Sequence, residues 1–152
     1  MRTWITAAFV AGLIVTPLLA DDAHFKKTKI VVVSNNGEDT DERDCNLVFQ
    51  DDRTIVVRHR TASDEVYATI PFTAIRSMTY ERAKSPRVKT AIFLSPLALF
   101  SPGKKHWLTI EYTTPDGGNS YVLLRLDKNE QQRIQAEAQA RTGMDVERLV
   151  ES

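Results

Sequence analysis

Apolar and polar residues alternate with a period of two along most of this chain. Lys29–Val33 (KIVVV) is a β-branched run that closes on the turn-forming Ser34-Asn35-Asn36-Gly37. Cys45, Leu47 and Phe49 share a face up to a turn at Asp51-Asp52. Ile55, Val57 and His59 share the next face, with Val56, Arg58 and Arg60 opposite. After Thr61-Ala62-Ser63-Asp64, the residues Val66, Ala68 and Ile70 alternate up to Pro71, and Ile75–Arg82 continues with Met78 and Tyr80 on one face. Leu108, Ile110 and Tyr112 then alternate with Trp107, Thr109, Glu111 and Thr113. Pro115-Asp116-Gly117-Gly118 is a turn, because Pro presets φ and Gly accepts positive φ. Val122, Leu124 and Leu126 mark the return strand. Short strands joined by polar turns predict an antiparallel meander.

The period changes once. Asp127 with Glu130 three residues on has the capping-box arrangement, Ile134 and Ala138 form a narrow apolar stripe, and Gly143 suits a left-handed stop. The expected helix covers about 128–141. The predicted class is therefore mainly β with one C-terminal α-helix, in a single domain over 29–147. Residues 21–28 are expected to be a flexible lead and 148–152 a tail.

Two stretches break the alternation. At the start, Arg2 precedes an apolar run from Ile5 to Val15, Pro17 interrupts it, and Ala20 offers a small residue for cleavage. This reads as a signal peptide over 1–20, with the mature chain periplasmic or extracellular. The second stretch, AIFLSPLALF, is nearly all apolar and lies between Arg87 and Lys89 on one side and Lys104 and Lys105 on the other. Ser95-Pro96 can open a short helix over Leu97–Phe100 before Ser101-Pro102-Gly103 ends it. Three roles compete for segment 91–102: packing over a barrel opening, a surface for a protein partner or self-association, and insertion into an anionic membrane interface. On the last two, Arg87, Lys89, Phe93, Leu97, Phe100, Lys104, Lys105 and Trp107 form the surface.

Composition narrows the function more than it identifies it. The chain has 152 residues, 42% apolar and 26% charged, with a formal net charge of +0. That is an ordinary globular composition, and it argues against a nucleic-acid partner, which calls for a basic domain. The acidic stretch from Glu38 to Asp44 resembles the first half of a calcium loop, but Asp44 stands where such a loop needs Gly, so a solvated loop is expected. His24, His59 and His106 lack metal-ligand spacing, and there is no nucleophile elbow, P-loop or dinucleotide fingerprint. No catalytic, cofactor or metal site is expected, the alternative being an enzyme whose site assembles from distant residues without a motif. Arg58 and Arg60 share a strand face and can either grip a carboxylate or phosphate or simply face water. Cys45, the single cysteine, rules out an internal disulfide and reads as a buried apolar residue or a reactive thiol.

The order of seven strands and one C-terminal helix, together with IPFTAIRSMTY, resembles the bacterial pleckstrin-homology and GRAM-like domains. KKHWLTIEY, LDKNE and TGMDVE resemble pieces of a family of secreted bacterial proteins. The resemblance implies a seven-stranded antiparallel barrel or sandwich capped by the helix, acting as a non-catalytic binding module. Phosphoinositide-binding members carry basic residues around the first hairpin. The acidic residues Glu38–Asp44 stand there instead, which argues against that lipid site.

Overall fold

A computed structural model describes residues 21–33, 40–61, 65–84, 86 and 103–149. The expected signal segment 1–20 and segment 91–102 lie outside the described residues, as do Arg87 and Lys89. In chain order the strands are β1 (Ala23–Val33), β2 (Thr40–Gln50), β3 (Thr54–His59), β4 (Val66–Pro71), β5 (Ile75–Ala83), β6 (Lys105–Thr113), β7 (Asn119–Leu126) and β8 (Val146–Leu149). One helix, α1 (Gln131–Thr142), precedes β8, and a 3-10 turn over Phe72–Ala74 links β4 to β5.

The strands form one sheet in the order β4-β3-β2-β1-β7-β6-β5-β8. Among the described residues it does not close, and β4 and β8 are its edges. Every pairing is antiparallel except that of β8 with β5. Three hairpin-linked strands follow β1 on one side, and β7, β6 and β5 lie on its other side. The chain is mainly β with one helix near the C-terminus, as the periodicity predicts.

The expected inward faces build the core. Leu47, Phe49, Ile55, Val57, Ile70, Met78, Leu108, Ile110 and Leu124 are buried together with Ile134 and Ala138 of α1. Phe25 meets Phe49 edge-on at 6.1 Å between ring centroids, and the Arg133 guanidinium lies 5.2 Å from the Phe25 ring. Full burial of one side chain such as Ile134 is worth about 1.5–3 kcal/mol. Gly143 ends the helix at φ 71° and donates its N–H to the Gln139 carbonyl at 3.0 Å. Left-handed backbone suits a residue without Cβ.

Four expectations need correction. The supposed flexible lead is strand from Ala23 onward, with a bulge between Phe25 and Thr28. The acidic stretch is not a loop from Thr40 on: Asp41, Glu42, Arg43 and Asp44 are β2 residues facing Val32, Val31, Ile30 and Lys29. Asp127 does not cap the helix. Its carboxylate accepts from the Asn129 N–H at 2.9 Å, its carbonyl accepts from Gln131 N–H at 2.9 Å, and Glu130 holds the cap position without a side-chain bond. Finally, an eighth strand follows the helix, where only a tail and its approach were expected, with Met78, Thr79, Tyr80 and Glu81 facing Val146–Leu149.

Candidate functional site

β6 is covered on both faces. Its Leu108 and Ile110 enter the main core, while Trp107 on the other face is fully buried with Val31 and Leu123 in a second apolar cluster. Trp107 Nε1–H donates to the Ala83 carbonyl at 3.0 Å. Trp107 was one candidate for a membrane or partner surface, and its burial removes it from one. Lys105 is also buried, with its ammonium 6.0 Å from the Trp107 ring. Lys104, one residue earlier, is exposed. Of the predicted surface residues, Phe93, Leu97 and Phe100 lie outside the described residues along with Arg87 and Lys89.

Beside this point the sheet opens into a cleft of about 410 Å³. Its walls come from separate parts of the chain: Lys27 and Lys29 of β1, Arg82 of β5, Lys104 before β6, Lys105 and His106 of β6, Arg125 and Leu126 of β7, then Asp127 and Lys128. Strand register explains the convergence. Lys29 faces Arg125 across β1 and β7, His106 faces Leu126 across β6 and β7, and His106 faces Arg82 across β5 and β6. The lining contains seven Lys or Arg residues and one carboxylate, Asp127, although the whole chain has a net charge of +0. Positive charge is concentrated here.

Part of that charge is answered from β2. Glu42 pairs with Arg125 at 2.8 Å, and Asp44 approaches both Lys29 at 3.7 Å and Arg60 at 3.3 Å. The crowding still shows in the titrating groups. Burial, and after it the neighbouring Arg125 and Lys29, pull the Lys105 ammonium below its ordinary pKa, with Glu42 opposing. Burial and then Arg82 likewise lower the His106 imidazole, with Asp127 opposing. The His106 ring stacks with Tyr80, whose hydroxyl is 2.6 Å from Nδ1. Burial raises the Tyr80 phenol, so it keeps its proton.

The remaining candidates are structural. His59 stacks on Tyr67 at 3.8 Å, hydrogen-bonds its hydroxyl at 3.0 Å and lies 3.4 Å from Glu65. Arg60 donates to the Lys26 carbonyl besides pairing with Asp44, so it ties β3 to β1. Cys45 is fully buried, and burial pushes its thiol up to about 12, which makes it an inert core residue. Among the described residues no group of His, Cys, Asp and Glu is arranged to hold a metal ion. Sequence reasoning missed Lys27, Lys29, Arg125 and Lys128 as parts of one site. Only the basic residues between Arg82 and Lys105 gave a local signal. No protein-family model matches the chain, and no curated protein matches its sequence.

Proposed function

We propose that this chain is an exported, non-catalytic binding module of the pleckstrin-homology-like kind, and that its basic cleft takes the anionic surface of a membrane. The observation that carries the reading is the convergence of seven Lys and Arg side chains on one concave site of a chain with no net charge. Clefts lined by one sign of charge raise the local concentration of the opposite one. The strand order from β4 to β5, followed by α1, supports the pleckstrin-homology-like assignment, with β8 as an addition to that pattern. Glu42 and Asp44 of β2 pair with Arg125 and Lys29 and offset part of the cleft's charge.

A membrane fits better than a soluble anion because of the connection between β5 and β6. That connection leaves after Ala83 and returns at Lys105, beside the cleft at both ends. Phe93, Leu97 and Phe100 fall between these two ends in the sequence, Phe100 four residues before Lys104. Cations at the headgroups contribute about 1 kcal/mol each near an anionic surface, and apolar residues in the acyl boundary add a share that salt does not screen.

Co-sedimentation tests this. The protein should sediment with anionic vesicles and not with neutral ones, and high salt should remove part of the binding. Arg82→Glu with Lys128→Glu, both exposed at the rim, should weaken sedimentation without moving the melting temperature. Equal sedimentation with neutral vesicles, or none with either, would defeat the membrane reading.

A further inference from the structure

We propose that His106 makes anion binding in the cleft proton-linked, so that the cleft tightens on a multivalent anion as the pH falls. The inference rests on the cleft being an anion site and adds how that site is regulated.

The imidazole lines the cleft among groups that hold it neutral when the cleft is empty. On β5, Arg82 stands directly across from it, and Tyr80 stacks on the ring with its hydroxyl 2.6 Å from Nδ1. From β8, Arg148 lies 6.0 Å from the Tyr80 ring. Lys104 and Lys105 immediately precede the histidine in the chain, and Lys27 and Lys29 of β1 line the same cavity. From the β7 side come Arg125, Lys128 and the single carboxylate Asp127. Burial first and Arg82 second disfavour the imidazolium, with Asp127 opposing. The tautomer sets the direction of the Tyr80–Nδ1 bond; taking the hydroxyl as donor, the neutral ring carries its proton on Nε2.

A multivalent anion reverses this balance. Its charge offsets the surrounding cations and favours a second proton on the ring. That proton goes to Nδ1, and Tyr80 Oη turns from donor to acceptor there. The sign follows from linkage. His106 has a higher pKa with the anion bound than without it, so affinity is constant well above the bound-state pKa. Affinity rises as the pH falls through that value and levels off below the free-state pKa, which lies under the ordinary 6.5. One unit charge about 6 Å from a dianion in a water-like medium corresponds to a change of about tenfold.

Sulfate is the suitable probe, because it stays a dianion across the range and any pH dependence belongs to the protein. Calorimetry on the full chain should show sulfate binding about tenfold tighter at pH 5 than at pH 8, with net proton uptake. NMR titration of the His106 ring should show its pKa raised by saturating sulfate. His106→Gln, which keeps a neutral donor, should bind as the wild type does at pH 8 and lose the gain at pH 5. Equal wild-type affinity at the two pH values, an unmoved His106 titration, or a tenfold gain retained in His106→Gln would each overturn the linkage while leaving the cleft an anion site. Absence of sulfate binding at both pH values would overturn the cleft and the linkage together.

Discussion

Trp107 is the most informative side chain to perturb, because exposed and buried readings of it differ by several kcal/mol. Its ring is fully buried against Val31 and Leu123, and its N–H is bonded to the Ala83 carbonyl at 3.0 Å. Trp107→Ala should cost about 3–5 kcal/mol, the range for emptying an aromatic core site. Trp107→Phe separates the contributions. Loss of the hydrogen bond costs about 0.5–1.5 kcal/mol. The smaller ring gives up about 40 Å² of buried apolar area, worth about 1 kcal/mol at about 25 cal/mol per Å². The phenylalanine variant should therefore lose roughly 1.5–2.5 kcal/mol in all. Urea denaturation followed by circular dichroism reads both variants. The second tryptophan, Trp4, falls in the expected signal segment 1–20, so protein prepared without that segment reports Trp107 alone, whose emission should be blue-shifted and resistant to iodide quenching. Losses under about 0.5 kcal/mol for Trp107→Ala, the size typical of a surface change, together with solvent-exposed emission, would refute the second cluster.

Two further outcomes follow from the buried groups. Cys45, fully buried with its thiol pushed up to about 12, should resist iodoacetamide in the native protein and react readily in urea; rapid native alkylation would contradict its burial. Val146 is buried at the start of β8, so Val146→Asp should destabilise the protein by about 3 kcal/mol or more in the same melts, whereas a neutral result would mean that β8 is not part of the folded core.

The parts of the fold that were legible are those where period-two alternation continues without interruption. Cys45, Leu47 and Phe49 on β2, Ile55 and Val57 on β3, and Leu108 and Ile110 on β6 all face the core as the pattern requires. β1 was only half legible, because the bulge between Phe25 and Thr28 changes the face that alternate residues occupy. Its first half, with Lys26 and Lys27 at the break, has no readable period. The acidic half of β2 looked like a loop because Asp41, Glu42 and Asp44 are poor strand formers in isolation. Asp41 pairs with its neighbour Arg43, but the partners of Glu42 and Asp44 are Arg125, Lys29 and Arg60, distant in sequence. β8 escaped notice for a related reason. It is four residues long, only Val146 is buried, and its parallel pairing with β5 is a contact no local pattern encodes. The cleft was legible only through the basic residues on either side of AIFLSPLALF, since its other walls come from β1 and β7.

The two charge patterns that seemed unrelated in the sequence turn out to be one arrangement. Lys29 and Arg125 are direct cross-strand partners, and like charges so placed are destabilising. β2 answers them, Asp44 beside Lys29 and Glu42 beside Arg125, which accounts for acidic residues in a strand that otherwise disfavours them. Lys105 and His106 are both held below their ordinary pKa values, by burial first and by neighbouring cations second. For His106 the sign is definite. Its folded-state value is depressed, so its contribution is intact above the unfolded pKa of about 6.5 and stability is lost as the pH falls toward the folded value. An anion in the cleft acts against that loss, since it binds the folded chain and stabilises it by about 2.7 kcal/mol at one hundred times its Kd. The concentrated positive charge is thus a cost to the fold that binding relieves, and both the stability and the affinity of this site are governed by the same cations.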